Sequence, residues 1–189
     1  PYYNKPTQEG LYQHYKTIAQ AVEIPFMLYN VPGRTGVDLL PETAIRLFDD
    51  VKNIYGIKEA NGSLERATAI ISQRENFFVF SGDDSVDFAM LASGAKGIIS
   101  VTSNLVPNLK SKLVSSVMSG DFQTALKIHN DLFELNKVLF CESNPIPIKA
   151  AMYLSGLLDS LEFRLPLTKP SNETLEKLEK ILKKYEVVK

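Results

Sequence analysis

The sequence predicts a parallel α/β fold, and three observations support this prediction. Short apolar runs alternate with amphipathic segments four times within residues 1–120. The apolar runs are nearly continuous, which is typical of strands that are buried on both faces of a parallel sheet. Successive units are about 25 to 30 residues apart, the length of a strand with its crossover helix.

Each unit has recognisable bounds. Thr7 is a candidate N-cap of the first helix, and Pro41 suits the first turn of the second helix, where its missing N–H leaves no bond unmade. The loops between them contain the Gly and Pro residues that are typical of turns. The predicted strands are 24–29, 51–58, 77–80 and 97–101, and the predicted helices are 8–22, 41–48, 63–72, 85–92 and 107–118.

After Gly120 the strand pattern ends. Residues 122–140, 147–157 and 171–185 have the apolar spacing of amphipathic helices. We therefore divide the chain into residues 1–120, built of strand–helix units, and residues 121–189, a helical region.

Four strand–helix units can form a doubly wound sheet or half of an eight-unit (β/α)8 barrel. Residues 1–6 (PYYNKP) resemble the end of a strand and a loop rather than the start of a domain. This opening favours the half-barrel, so we expect the chain to be a fragment.

Composition excludes several classes of protein. The chain has 44% hydrophobic and 23% charged residues and a formal net charge of -1, which is ordinary for a globular domain and lacks the basic excess of nucleic-acid-binding proteins. No stretch approaches the roughly 20 apolar residues of a membrane-spanning helix. Cys141 is the single cysteine, which excludes an intramolecular disulfide and fits the cytoplasm. Together with two histidines it is a poor ligand set for zinc, so we expect no metal.

The loops that follow parallel strands are where functional residues gather. Lys58 ends an apolar run, and a desolvated lysine there would supply the neutral amine that attacks carbonyls; a solvated strand-end lysine is the alternative. Tyr29, at the end of the preceding strand, could relay protons or be an aromatic core residue. Arg34 could bind a carboxylate with two hydrogen bonds, or be a solvated loop arginine.

Other polar positions favour structural roles. Asp83 and Asp84 could bind a metal, but an N-cap of the next helix is the better-supported interpretation. Tyr2 and Tyr3 suggest an interface, or belong to a frayed chain end. We predict that Cys141 is a buried, small hydrophobic residue.

Six motifs resemble the dihydrodipicolinate synthase family and fall in that family's order. The resemblance covers essentially the whole chain and implies a TIM-barrel lyase of lysine and diaminopimelate biosynthesis, which condenses pyruvate with L-aspartate-4-semialdehyde to 4-hydroxy-tetrahydrodipicolinate. The motifs are residues 1–10 (PYYNKPTQEG), 29–36 (YNVPGRTG), 56–60 (GIKEA), 81–84 (SGDD), 97–101 (GIISV) and 144–149 (NPIPIK).

The resemblance also implies a role for individual residues. Lys58 matches the lysine that forms a Schiff base with pyruvate, Tyr29 the proton-relay tyrosine, and Arg34 the arginine that binds the semialdehyde carboxylate. No cofactor or metal is implied besides the covalent pyruvate. Tyr3 matches the tyrosine that completes the relay across a tight dimer interface, and Tyr2 matches an interface residue near an L-lysine feedback site. Gly82 and Ile99 match residues whose backbone lines the pyruvate cavity.

The resemblance implies further that the chain is the C-terminal two-thirds of such a protein. The family's earlier strand–helix units carry a Gly-Thr-Thr-Gly-Glu loop that this sequence lacks. We therefore expect only about the last four units of the barrel, followed by a three-helix extension, and we expect this chain alone to be inactive. The implied full-length assembly is a homotetramer, a dimer of dimers.

Three alternatives stay open. Sister aldolases, such as N-acetylneuraminate lyase or 2-keto-3-deoxy sugar-acid aldolases, share Lys58 and Tyr29, although Arg34 and the Tyr2–Tyr3 pair favour the synthase. The chain could be a catalytically silent half-barrel. A nucleotide-binding domain is disfavoured because no Gly-rich phosphate loop follows a strand.

Overall fold

Four parallel strands organise the first part of the chain in the computed structural model, which describes residues 1–185. They pair in sequence order, β1-β2-β3-β4, which confirms the predicted α/β fold with a parallel sheet. Consecutive barrel strands follow this order, whereas a doubly wound sheet reverses its order at a switch point. The strands are β1 (Phe26–Asn30), β2 (Ile54–Glu59), β3 (Phe78–Ser81) and β4 (Gly97–Ile98).

The helices of this part begin largely where the sequence predicts. Thr7 Oγ1 accepts a hydrogen bond from Gly10 N at 3.2 Å, so the predicted N-cap is confirmed, and Pro41 occupies the first turn of α3. A short helix over Pro32–Thr35 is missing from the prediction, which treats residues 30–36 as a loop. The helices are α1 (Gln8–Gln20), α2 (Pro32–Thr35), α3 (Pro41–Asp50), α4 (Leu64–Ile71) and α5 (Asp87–Ala92).

The predicted N-cap role of Asp83 and Asp84 is wrong. Helix α5 begins at Asp87, two residues later than predicted, and its N-cap is Val86, which makes no side-chain cap bond. Asp83 Oδ1 instead accepts hydrogen bonds from Ser85 N at 3.0 Å and Ser85 Oγ at 2.6 Å. The carboxylate thus stabilises the turn that precedes the helix.

The two faces of the sheet differ in burial. Leu28, Ile57 and Val79 are register partners that are at most 1% exposed, and they belong to one apolar cluster with residues of α1, α3 and α4. Because side chains alternate along a strand, Tyr29 and Lys58 lie on the opposite face. Tyr29 is 44% exposed and Lys58 is half-buried. Burial of the first face stabilises the sheet, while the second face stays available for chemistry.

A second compact unit begins at Ser100, after the first unit of Pro1–Ile99. A 3-10 turn over Thr102–Asn104 follows β4, which ends at Ile98 and not at the predicted residue 101. All three helices predicted after Gly120 are present. The helices of this unit are α6 (Pro107–Met118), α7 (Phe122–Val138), α8 (Ile146–Leu154) and α9 (Asn172–Lys184).

The division of the chain at residue 120 stays a prediction. Residues 186–189, which belong to the predicted helical region, lie outside the described residues. The prediction that Cys141 is buried is wrong, because it lies in the turn between α7 and α8, where it is exposed with Sγ 3.5 Å from Thr174 Oγ1. Within residues 1–185 no helix is long and apolar enough to cross a membrane.

Candidate functional site

Lys58 and Tyr29 occupy equivalent places at the carboxyl ends of neighbouring strands. They are register partners of β2 and β1, and each is the last residue but one of its strand. Lys58 Nζ lies 4.1 Å from the centroid of the Tyr29 ring, a distance at which a cation and an aromatic face attract each other. The structure therefore brings together the amine and the phenol that the sequence analysis selects.

Gly82 provides the space that Lys58 occupies. A Cβ atom at position 82 would lie 2.8 Å from Lys58 Cε and 2.8 Å from Ala60 Cβ, closer than side chains approach one another. The loop of Gly82 is fixed by backbone bonds, because Gly82 N donates to Glu59 O and Ile99 N donates to Ser81 O. Gly82 thus lies against Lys58, and Ile99 is bonded to the end of β3, one residue before Gly82.

Arg34 lies at the end of the short helix α2 and is exposed. Gly36, with φ of 70°, follows this helix in the left-handed conformation that glycine adopts at little steric cost. The loop starts at Asn30, directly after Tyr29, so Arg34 is attached to the same strand end as the phenol. Arg34 thus lies in the segment that directly follows the strand end of Tyr29.

Tyr2 and Tyr3 are 72% and 85% exposed. Tyr3 has a φ of 62°, which is uncommon for a residue with a side chain. Pro1 and Tyr29 line the same small cavity, so the start of the chain lies beside the candidate site. The structure therefore places Pro1, the residue before the tyrosine pair, beside Tyr29, while both tyrosines are exposed.

The sequence does not predict a group of buried and half-buried polar side chains that lies behind the strand ends. We call it the strand-end cluster, and it consists of Asn30, Asp38, Glu59 and Arg66. Asn30 Nδ2 donates to Glu59 Oε1 at 2.9 Å and to Asp38 Oδ1 at 2.8 Å. Arg66 Nη1 donates to Asp38 Oδ2 at 2.9 Å, and Arg66 Nε lies 3.4 Å from Glu59 Oε2.

Glu59 is fully buried at 0% exposure, and Asn30 is 2% exposed. Burial raises the pKa of the Glu59 carboxyl above its ordinary value, while the Arg66 charge and the hydrogen bonds from Asn30 and Asn61 act in the opposite direction. The sequence signal that could have identified Glu59 is the alternation of side-chain direction along a strand. Glu59 follows Lys58, so it must point to the helix-covered face, where a carboxylate needs partners.

The geometry supports carbonyl chemistry at Lys58 more directly than metal chemistry. A lysine beside a phenol is a pair that can act as nucleophile and proton carrier, and the segment after the phenol carries an arginine, a residue type that binds carboxylates. Among the residues that the structure describes, no three His, Cys, Asp or Glu side chains are grouped as metal ligands.

Comparison with known proteins gives one consistent result. The model of the dihydrodipicolinate synthetase family matches residues 1–185. A 4-hydroxy-tetrahydrodipicolinate synthase from Aliarcobacter butzleri (strain RM4018) is 84% identical over 189 residues, which cover 100% of this chain and 64% of the relative.

Solved structures show the same similarity. The dihydrodipicolinate synthase from Aquifex aeolicus matches with a TM-score of 0.97 and 46% identity, over 100% of this chain and 64% of that chain. The chloride-inhibited dihydrodipicolinate synthase from Acinetobacter baumannii, complexed with pyruvate, matches with a TM-score of 0.95 and 48% identity over the same shares. The chain thus spans 64% of the length of these proteins.

Proposed function

The chain belongs to the dihydrodipicolinate synthetase family, and from that premise we propose that it takes part in the condensation of pyruvate with L-aspartate-4-semialdehyde. The product is 4-hydroxy-tetrahydrodipicolinate, an intermediate of lysine and diaminopimelate biosynthesis. The observation that carries the proposal is the placement of Lys58 beside Tyr29 at the carboxyl ends of β1 and β2, with Nζ 4.1 Å from the ring centroid. The 84% identity to a synthase favours this reaction over those of sister aldolases.

The first step is imine formation at Lys58. The neutral amine attacks the pyruvate carbonyl carbon, a carbinolamine forms, and water leaves to give the imine. The protonated imine withdraws electrons, so the pyruvate methyl group loses a proton and becomes an enamine. The enamine carbon then attacks the aldehyde carbon of the semialdehyde and forms the new carbon–carbon bond, which restores the imine. Attack of the semialdehyde amino group on the imine carbon closes the ring and releases the Lys58 amine.

Tyr29 is the proposed proton carrier in these steps. A phenol next to the amine can donate a proton to the carbinolamine hydroxyl, which leaves as water, and its phenolate can accept a proton from the pyruvate methyl group as the enamine forms. Tyr3 is proposed to extend the relay from a second copy of the chain, and its 85% exposure is compatible with that role. Tyr2 would belong to the same interface, near a site for feedback by L-lysine. The proposed full-length assembly is a homotetramer.

Arg34 and two backbone positions are proposed to bind the substrates. The guanidinium of Arg34 offers two parallel N–H groups that match a carboxylate of the semialdehyde. Gly82 and Ile99 would line the pyruvate cavity, since Gly82 lies against Lys58 and Ile99 N is bonded to Ser81 O, one residue before Gly82. The pyruvate complex of the Acinetobacter baumannii structure supports the choice of pyruvate as the first substrate. No organic cofactor enters this scheme.

The proposal also concerns the fold of the whole protein. We propose that the four strands form part of a (β/α)8 barrel, since they are parallel and follow the sequence order. The chain spans 64% of the length of the Aliarcobacter butzleri relative, so the complete reaction is proposed for the barrel as a whole. The critical experiment therefore targets the covalent step that depends on Lys58.

The proposal is tested by reductive trapping. The chain is incubated with pyruvate and borohydride, alone and together with a polypeptide that supplies the rest of the Aliarcobacter butzleri relative, and adducts are located by peptide mass spectrometry. We expect a reduced pyruvate adduct at Lys58 in at least one mixture. A lack of adduct at Lys58 in both mixtures would contradict the proposed function.

Two variants serve as matched controls. Lys58→Arg keeps the positive charge but cannot form the imine, so we expect it to abolish the adduct. Lys52→Arg makes the same change at an exposed lysine just before β2 and should leave the adduct unchanged. Addition of L-aspartate-4-semialdehyde should discharge the unreduced adduct, whereas the sugar-acid substrates of sister aldolases should not be turned over.

A further inference from the structure

The strand-end cluster joins β1 to β2 one residue beyond Tyr29 and Lys58. Asn30 and Glu59 are register partners, as Tyr29 and Lys58 are. Their side chains form a buried bridge, in which Asn30 Nδ2 lies 2.9 Å from Glu59 Oε1 and 3.2 Å from Oε2. The backbone joins the same strands next to this bridge, since Ala60 N donates to Asn30 O at 2.9 Å. The two strand ends are therefore tied together on the face opposite to the candidate site.

Glu59 is held by donors alone. Its Oε1 also accepts from Asn61 N at 3.1 Å, and its Oε2 lies 3.4 Å from Nε and Nη2 of Arg66. A carboxylate can satisfy all of these donors, while an amide of the same size would turn an NH2 group toward at least one of them. The bridge thus depends on the carboxyl group itself and not merely on its volume.

The cluster also closes the base of the loop that carries Arg34. Asn30 is the last residue of β1, directly before this loop. Its Oδ1 accepts a hydrogen bond from Leu39 N at 3.1 Å, where the loop ends. Arg66 Nη2 donates to Leu39 O at 2.6 Å, and Arg66 Nη1 binds Asp38. The same four side chains therefore fix the end of β1, the end of β2 and both ends of the Arg34 loop.

We propose that the Asn30–Glu59 bridge is a positioning element for the reaction at Lys58, which keeps the amine and the Tyr29 phenol side by side on the opposite face of the sheet. The inference rests on the proposed function. Its physical basis is that a shift of one residue in strand register moves every side chain to the other face. A buried bridge at the very next residue opposes such a shift where the ladder ends, and Asn30 and Glu59 act from the face of the sheet opposite to Lys58.

The position of Lys58 is measured first by NMR, without any substrate. The Tyr29 ring lies over the Lys58 side chain, so the Lys58 ε-methylene protons should be shifted upfield by the ring. We expect Glu59→Gln and Asn30→Ala to remove most of this shift. The matched control is Glu65→Gln, the same change at an exposed glutamate beside Arg66, which should retain it.

The trapping reaction is measured next, with the rate constant and the amplitude recorded separately at saturating pyruvate. A misplacement of reacting groups by about 1 Å can slow a reaction on the order of 100-fold, so we expect the rate constant of Glu59→Gln to fall about tenfold or more. The amplitude, in adduct per folded chain, should stay close to that of the unmodified chain. Asn30→Ala leaves Arg66 in place to neutralise Glu59 and serves as the second variant if Glu59→Gln does not fold.

The outcomes separate the two proposals. If the unmodified chain forms no adduct in either trapping mixture, the proposed function fails, and the NMR shift still decides whether the bridge positions Lys58. If Glu59→Gln and Asn30→Ala retain the upfield shift, the positioning role is wrong. A lower amplitude with an unchanged rate constant would assign the bridge a purely structural role and would overturn the inference.

Discussion

Lys58 fits beside Tyr29 only because the neighbouring residue 82 has no side chain. A Cβ atom there would lie 2.8 Å from both Lys58 Cε and Ala60 Cβ. The lysine tail can move away, but the Ala60 methyl group is fixed to the backbone. The small residue next to Lys58 is therefore part of the candidate site, although it carries no chemistry.

We expect Gly82→Ala to destabilise the fold and to slow pyruvate trapping at Lys58. Overpacking of this kind costs about 1–3 kcal/mol of unfolding free energy. Gly33→Ala is the control, since its Cβ would have no atom within 4 Å, and its unfolding free energy should change by less than about 0.5 kcal/mol. Urea denaturation and trapping rates check both variants, and equal behaviour of the two would contradict the prediction.

Glu59 makes the stability of the fold depend on pH. Burial raises its pKa in the folded state above the ordinary value of 4.5. Between the unfolded and folded pKa values the folded chain binds more protons, so its unfolding free energy decreases as pH rises through this window. Glutamine at position 59 does not titrate. Relative to Glu59→Gln, the unfolding free energy of the unmodified chain should therefore decrease by about 1.4 kcal/mol for each pH unit of the window.

This prediction is checked by urea denaturation from pH 4.5 upward. The control Glu65→Gln should follow the pH dependence of the unmodified chain, because Glu65 is exposed. An unmodified chain that gains unfolding free energy relative to Glu59→Gln as pH rises would show the opposite sign and contradict the assignment.

The stability of helix α9 depends on the residues at its N-terminus. Ser171 Oγ accepts a hydrogen bond from Thr174 N at 3.2 Å and also contacts Glu142 Oε1 at 3.0 Å, which ties the start of α9 to the α7–α8 turn. Leu178 and Leu182 of this helix are fully buried. The helix therefore combines a satisfied N-terminus with a buried apolar face.

We expect Ser171→Ala to lower the unfolding free energy by about 1 kcal/mol, since an alanine N-cap leaves Thr174 N without its side-chain acceptor. Thr168→Ala removes a hydroxyl from an exposed residue that precedes the helix and should change little. Thermal unfolding followed by circular dichroism checks the pair. Equal melting temperatures for Ser171→Ala and the unmodified chain would refute the cap's contribution.

At the scale of the whole molecule, the sheet face that carries Lys58 also carries exposed aromatic side chains. Phe78 is 37% exposed and Tyr29 is 44% exposed. Parallel sheets are almost always covered on both faces, and a contiguous exposed apolar patch promotes association. We therefore expect the isolated chain to associate as its concentration rises.

Phe78→Thr should weaken this association by about threefold to tenfold, since complete burial of a phenylalanine contributes about 1.5–3 kcal/mol and Phe78 is already partly buried. Leu165→Thr is the control, because Leu165 is 85% exposed and lies outside the sheet. Sedimentation velocity over a range of concentrations measures the effect. A larger change for Leu165→Thr than for Phe78→Thr would locate the association elsewhere.

The sequence by itself determined the α/β class, the parallel sheet and most helix starts. These follow from local rules: apolar runs mark buried strands, Thr7 caps α1, and Pro41 begins α3. The motifs also identified the family, and strand ends selected Lys58 and Tyr29 as neighbours. The physical reason is that all of these depend on residues adjacent in sequence or on the fixed geometry of a parallel ladder.

Only the tertiary structure decided the contacts between distant segments. The strand-end cluster joins Asn30, Asp38, Glu59 and Arg66, which are polar residues without a shared periodicity, and the space left by Gly82 depends on where Ala60 and Lys58 lie. Asp83 turned out to stabilise a turn, and Cys141 to be exposed, because helix starts and loop paths shift by one or two residues. Side-chain partners far apart in sequence are chosen by packing, and packing is a property of the folded chain.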